Sequence, residues 1–288
     1  MLKKRVIAAL VIKDGIVVQS KGFNSYLPIG KPEIAVEFLN QWGIDEIILT
    51  DINATKNNRE PDYNLVKKIA SKCQVPLTVG GGISELNHIK HLMNSGADKI
   101  SVNQSAINNY KLITDAAKIF GNQCIVVSVD ACIKDGSYKL YNHINKTATD
   151  ISPFNFSKSM EDYGAGEIII NSVEKDGSYS GYDKKLIDLL CATVTIPIIA
   201  IGGAKNANDM IDVLQNTKIS GAAAANFFHF NEHSVIITKA LINKNLPIRI
   251  DTEATYMENS VNKNCRLIKK NDLVLENLLF TKIEKEII

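Results

Sequence analysis

The chain has 288 residues, of which 45% are hydrophobic and 22% charged. This is ordinary for a globular protein, argues against disorder, and leaves room for one large domain or two small ones. The 33 Lys and Arg nearly cancel the 31 Asp and Glu, so the net charge of +2 offers no footprint for nucleic acid or an anionic membrane.

Met1-Leu2-Lys3-Lys4-Arg5 opens with basic residues, as a signal peptide does, but the apolar stretch Val6 to Ile12 is short and runs into Lys13-Asp14-Gly15. It reads as a first buried strand. Pro32 opens a helix, where its missing N–H costs nothing, with Ile34, Ala35, Phe38, Leu39 and Trp42 on one apolar face. Strand Glu46 to Thr50 and a helix from Tyr63 to Cys73 follow. Leu77 to Val79 is a strand ending in Gly80-Gly81-Gly82, Ile89 to Ser95 a helix, and Lys99 to Asn103 a strand. The next helix carries the apolar residues Leu112, Ile113, Ala116, Ala117 and Ile119. In the second half the strands are Ile125 to Asp130, Glu167 to Asn171, Ile198 to Ile201 and Gly221 to Asn226. Its helices are Phe156 to Tyr163, Lys184 to Leu190, Asn206 to Leu214 and His233 to Leu241. The strands are apolar on both faces, as parallel strands under helices must be. Eight such units predict an α/β fold, a (β/α)8 TIM barrel over residues 1–245, with 246–288 as an extension.

The halves, about 1–120 and 121–245, repeat each other. Glu46-Ile47-Ile48 matches Glu167-Ile168-Ile169, and Pro76 to Gly82 matches Pro197 to Gly203, both 121 residues apart. Asn103 pairs with Asn226, and Lys13-Asp14-Gly15 recurs as Lys134-Asp135-Gly136. A series in one order points to two half-barrels.

The C-terminal strand ends of such a barrel carry the active site. Gly81-Gly82 with the loop after Asn103, and Gly202-Gly203 with the loop after Asn226, form two cups whose backbone N–H groups can approach an anion. Two related cups predict a ligand with a phosphate at each end; tight turns are the plainer alternative for either pair alone. Asp130 ends the fifth strand and is the candidate acid or base; Asp51 ends the second, and Asp176, with Gly177, follows the sixth. For Asp176 a turn role is the alternative. The five cysteines are odd in number and form no C-x-x-C pair, which fits reduced thiols in the cytoplasm. His88 and His91 lack partners at zinc spacing and read as surface helix residues, so no metal is expected.

These residues resemble the cyclase subunit of imidazole-glycerol-phosphate synthase. The motifs are Lys4 to Ile7, Lys13-Asp14-Gly15, Pro76 to Ile83, Gly96 to Asn103, Gly121 to Asp130, Gly164 to Ile168, Asp176-Gly177, Gly181-Tyr182-Asp183, Gly202-Gly203-Ala204 and Phe228-His229-Phe230. The resemblance implies a HisF-like synthase subunit that needs no cofactor. It takes ammonia from a partner glutaminase docked on the N-terminal barrel face and acts on a small phosphorylated substrate. It also implies an ammonia gate of Arg5, Glu46, Lys99 and Glu167, and a glutaminase contact at Asp98 and Gln123. A structural salt-bridge plug is the plainer reading of the four charges.

The chain departs from the family at the mouth. Val11 stands where the family has an aspartate, Gln19 where it has a lysine (Lys21 lies close by), Ile201 where Ser is common, and Asn171 for a Thr. An intact floor below an altered mouth suggests a paralogue with the same ammonia delivery and a different acceptor. Relatives in surface-polysaccharide pathways pair with a glutaminase and a separate amidotransferase to build acetamidino groups on sugars. The alternatives are a true cyclase subunit of histidine biosynthesis and a non-catalytic ammonia-conducting scaffold. A phosphosugar isomerase is disfavoured by the four-charge floor. The segment Leu273 to Ile287 is compatible with a strand or a short amphipathic helix.

Overall fold

The computed structural model describes residues 3–230, 233–250, 260–268, 271 and 273. Strand β1 (Arg5–Lys13) turns into a hairpin, β2 (Ile16–Lys21) and β3 (Ser25–Gly30), ahead of α1 (Pro32–Gln41). Then come β4 (Glu46–Asp51), α2 (Tyr63–Ala70), β5 (Leu77–Gly80), α3 (Leu86–Asn94), β6 (Lys99–Val102), α4 (Gln104–Asn108) and α5 (Lys111–Phe120). The second half runs β7 (Ile125–Lys134), β8 (Ser137–Asn142), β9 (Thr147–Ala148), α6 (Pro153–Asp162), β10 (Glu167–Ser172) and α7 (Lys184–Cys191). It ends with β11 (Ile198–Ile201), α8 (Ala207–Asn216), β12 (Gly221–Ala224), α9 (Asn226–Phe230) and α10 (Ser234–Asn243).

Parallel pairing runs β1–β4–β5–β6–β7–β10–β11–β12 and returns to β1, which closes the eight-stranded barrel. The expected (β/α)8 fold is therefore correct. Alternation along each strand divides the apolar residues into two cores. Ile7, Ala9, Ile48, Val126, Ile169, Ile199 and Ala223 fill the barrel interior. Val6, Leu10, Ile47, Leu77, Ile100, Ile168 and their neighbours pack outward under the helices.

The repeat extends to the helix starts. Pro32 and Pro153 each occupy the first turn of a helix. Asp62 accepts the Leu65 N–H at the start of α2, and Asp183 accepts that of Leu186 at the start of α7. Each carboxylate satisfies an otherwise orphaned helix donor.

Two expectations need correction. The apolar spacing puts Ile34 and Phe38 on the packed face of the first helix and counts Ile119 among the apolar residues of α5, yet all three are exposed. The wall of the barrel accepts a narrower stripe than the apolar spacing suggests: Val36 and Leu39 on α1, and Leu112, Ile113, Ala116 and Ala117 on α5. The antiparallel hairpins after β1 and β7 were also not anticipated. Both turn at Asp-Gly pairs with positive φ (Asp14 52°, Gly15 79°; Asp135 51°, Gly136 73°), the geometry that two-residue hairpin loops require.

Directly after α10, residues 248 and 249 pack on the barrel. Ile248 is buried and bridges Lys4, and Arg249 reaches the Asp45 carboxylate at 3.1 Å and the Ile44 carbonyl at 2.8 Å. Apart from residue 273, the segment Leu273 to Ile287 lies outside the described residues.

Candidate active site

The barrel floor is built from alternating charges. Arg5 bonds Glu46 at 2.6 Å and also Glu167; Lys99 bonds Glu46 at 3.0 Å and Glu167 at 2.8 Å. The Thr78 hydroxyl donates to Glu46 at 2.9 Å. Burial pulls the Arg5 guanidinium down, but its bonds to Glu167 and Glu46 outweigh that and leave it above its ordinary value. Each charge starts or precedes a strand, so the inward alternation that delivers Ile7, Ile48 and Ile169 to the interior delivers these four to the floor. Asp98 and Gln123 are exposed on the same face. The Asp98 carboxylate accepts the Leu77 N–H at 2.8 Å, and Gln123 sits in the turn Asn122–Cys124.

The other end opens into a cavity of about 480 Å³, within the range of small-ligand sites. Asp130, on β7, is buried in its wall. Its Oδ2 accepts the Asn103 amide at 2.8 Å and lies 3.3 Å from His143 Nδ1. Asn171 is its register partner on β10. Burial pushes the Asp130 carboxyl up; His143, Asn103 and Asn171 pull it back without reversing the shift. A carboxylate with a raised folded value weakens the fold as pH climbs from the ordinary carboxylate range through that value. Asp130→Asn is therefore expected to be more stable than wild type at pH 7, with the gap closing below about pH 4. Urea unfolding at both pH values checks this, and an unchanged gap would refute it.

Val11 faces the interior at the mouth, two residues beyond Ala9, on a strand diametrically across the barrel from β7. Ile201 packs on the interior core, so both positions make the wall apolar. Gln19 is bonded to the Tyr179 hydroxyl at 3.1 Å.

All four cup glycines have positive φ. A Cβ on Gly81 would strike the Asp51 carbonyl, one on Gly82 the Arg59 carbonyl, one on Gly202 the Asn171 side chain, and one on Gly203 the Gly181 carbonyl. Close backbone approach thus requires glycine here irrespective of any ligand. Both pairs line the cavity. Lys13, Lys56 and Lys146 line it too, while Asp51, the second-strand carboxylate, is taken up by Arg59 at 2.6 Å and by the N–H groups of Asn53 and Ala54.

Asp176, Gly177 and Asn226 meet at the first hairpin. Asp176 accepts the Ser20 hydroxyl at 2.7 Å and the Phe23 N–H at 3.2 Å, and burial raises its carboxyl. The Asn226 side chain accepts the Ser20 N–H at 3.2 Å and donates to the Ser20 carbonyl at 2.6 Å. Gly177 leaves no room for a Cβ against Ser20 and Lys21. Together they latch the β2–β3 hairpin over the mouth. Asn103 is bonded to Asp130 itself, and the Asn103 and Asn171 Oδ1 atoms are buried without a partner.

The residue that sequence reasoning missed is His143, carried to Asp130 by the β8–β9 turn. The Asp135-Gly136 hairpin signal was the clue available. His88 was expected on a helix surface, but it is buried, with Nδ1 3.2 Å from the Gly82 carbonyl. It braces the first glycine cup from behind.

The sequence profile of the histidine biosynthesis protein family matches residues 5–234. The chain belongs to this family. A Vibrio vulnificus (strain YJ016) protein, provisionally named imidazole glycerol phosphate synthase subunit hisF2, is 43% identical over 257 residues, 89% of this chain and 94% of its own. The HisF subunit of Lactiplantibacillus plantarum is 39% identical over 85% of this chain and 98% of its own. That of Bacillus cereus (strain AH187) is 38% identical over 87% and 100%. These proteins place the chain among the HisF-like members. Among the described residues no helix is long and apolar enough to cross a membrane.

Proposed function

We propose that this HisF-like chain is the synthase subunit of a glutamine amidotransferase complex. It takes ammonia from a glutaminase at the barrel floor and delivers it to a phosphorylated or sugar-type acceptor at the mouth. The observation that carries this reading is the closed floor ring, four charges in alternation around the barrel axis, under an inner core of small and branched apolar residues. A buried ring of paired charges stabilises a fold no more than apolar side chains of similar size would, so stability alone gives no reason for it here. At the mouth Lys13, Lys56 and Lys146, with the glycine pairs of two cups also lining the cavity, suit an anionic acceptor. Val11 and Ile201 take polarity from the walls. This supports an acceptor other than that of histidine biosynthesis, in the manner of the acetamidino sugars of surface polysaccharides, with a separate amidotransferase as third component.

A second reading, a true cyclase subunit of histidine biosynthesis, is favoured by the identity to HisF subunits over nearly their whole length. In a third, a non-catalytic scaffold, the buried Asp130 would have no use.

Three measurements test the proposal. A glutaminase of the histidine-synthase type is expected to co-purify with the chain and bind at micromolar Kd or better, roughly −8 kcal/mol. Asp98→Ala is expected to weaken glutaminase stimulation. Absence of binding at micromolar concentration would remove the ammonia-delivery reading. Crystals soaked in phosphate are expected to show two anions, one by Gly82 and Asn103 and one by Gly203 and Asn226. Anions found only elsewhere would reject the paired cups.

A further inference from the structure

We propose that His143 is the proton carrier of this site and that Asp130 is the group that orients it. The inference rests on the reading above that ammonia meets its acceptor at this mouth.

The β8–β9 turn is built to place this imidazole. The Asn142 side chain accepts the N–H groups of Ile144 at 2.9 Å and Asn145 at 3.1 Å, which fixes the backbone on either side of His143. The Phe23 ring from the opposite hairpin stands 6.4 Å away, tilted by 55°. Nδ1 is held 3.3 Å from Asp130 Oδ2, so the second ring nitrogen, Nε2, is the one left for a ligand. The side chain is 35% exposed and lines the cavity, whereas Asp130 is buried behind it.

The other titratable groups around the ring do not compete for the task. Asp176 is taken up by Ser20 and Phe23, and Lys146 extends to Asn24 at 3.5 Å. Burial raises the Tyr26 and Tyr141 hydroxyls above their ordinary values, which leaves them protonated at neutral pH. Asp51 is spent on Arg59 and the loop after β4.

The chemistry of ammonia transfer calls for one carrier that works in both directions. Ammonia adds to a carbonyl-type carbon: its lone pair forms the C–N bond as the C=O π pair moves to oxygen. Nitrogen then holds one proton too many and oxygen one too few. Neutral His143 takes the proton from nitrogen at Nε2 and returns it to oxygen, giving a carbinolamine. A second round moves another proton from nitrogen to the hydroxyl; C=N forms, water leaves, and the imidazole is again neutral. Nothing is oxidised or reduced, and the sum is ammonia plus carbonyl to imine plus water. Asp130, with Oδ2 3.3 Å from Nδ1, faces that nitrogen throughout and stabilises the transient imidazolium through its charge. Because His143 lies on the Asp130 side of the mouth, it does not replace a carboxylate at position 11 for a substrate shaped to use one there.

The test starts from 15N-histidine-labelled protein, with His143 assigned by comparison with His143→Gln. In the neutral form of the ring the proton is expected on Nδ1, facing Asp130, with Nε2 bare, and Asp130→Ala is expected to abolish that preference. This measurement needs no acceptor. A neutral ring protonated at Nε2, or one indifferent to Asp130→Ala, overturns the proposal. With ammonium chloride and the ribulosyl-formimino ribonucleotide of the cyclase subunits as the probe, His143→Gln is expected to lower turnover by ~100-fold. His143→Ala is expected to regain part of its loss with free imidazole, a recovery that a merely structural histidine would not show. Full turnover by His143→Gln overturns the proposal as well. If wild type leaves that probe untouched, the tautomer measurement decides alone. Failure of the ammonia reading would show separately, as a chain that binds no glutaminase while its tautomer stays as expected.

Discussion

Supplied with an ammonium salt and the ribulosyl-formimino ribonucleotide that carries a phosphate at each end, the protein is expected to turn over at least ~100-fold more slowly than family members with an aspartate on the first strand. Cyclising that substrate requires proton transfer at two points, and the family places one carboxylate on each half-barrel for it. Here Val11 lies inward on β1 and Asp130 inward on β7, on opposite sides of the mouth. Valine neither moves a proton nor accepts a hydrogen bond. Gln19 removes a positive charge from the first hairpin, and its amide is bonded to Tyr179. Ammonium salt bypasses any glutaminase, so the assay reads the mouth alone. Val11→Asp combined with Gln19→Lys is expected to raise turnover, because both strands and the hairpin latch remain as they are. Wild-type turnover at the rate of an ordinary family member would return the chain to histidine biosynthesis.

The barrel was legible because its signals are local and repeated. Each strand is a short apolar run, Pro32 and Pro153 open helices in matching places of the two halves, and the glycine pairs recur in order. The charged floor was named through the family resemblance, and position agrees with it: Arg5, Glu46, Lys99 and Glu167 each open a strand and alternate inward. The mouth was harder to read. Asp176, Gly177 and Asn226 sit where a phosphate site was expected, and their polar atoms close on Ser20, Gly22 and Phe23 of a hairpin whose antiparallel pairing sequence periodicity did not reveal. His143 lies 13 residues beyond Asp130, in a turn with no apolar rhythm, and only the β7–β8 pairing brings it back. Contacts set by tertiary return of the chain leave no period to count.

Removing one charge from the floor should be costly, and removing a pair should not. Glu46 is 1% exposed and serves Arg5, Lys99 and the Thr78 hydroxyl together. Glu46→Gln leaves two cations against Glu167 alone. Breaking a buried pair from one side costs about 3–5 kcal/mol, and the partial exposure of Arg5 and Lys99 places the expected loss at the low end, about 3 kcal/mol. For a barrel of this size that corresponds to a fall in Tm of roughly 6–12 °C. Glu46→Met combined with Lys99→Met removes one charge of each sign, keeps the Arg5–Glu167 pair, and is expected to recover stability to within about 1 kcal/mol of wild type. Calorimetry on the two variants checks the energetics. The double variant also separates a gate from a plug, because it rebuilds the floor without its alternation. With the glutaminase bound, a gate predicts that glutamine-driven turnover changes while turnover on added ammonium salt, which can reach the open mouth from solution, is retained. Equal changes in the two rates would mean that the ring only closes the barrel.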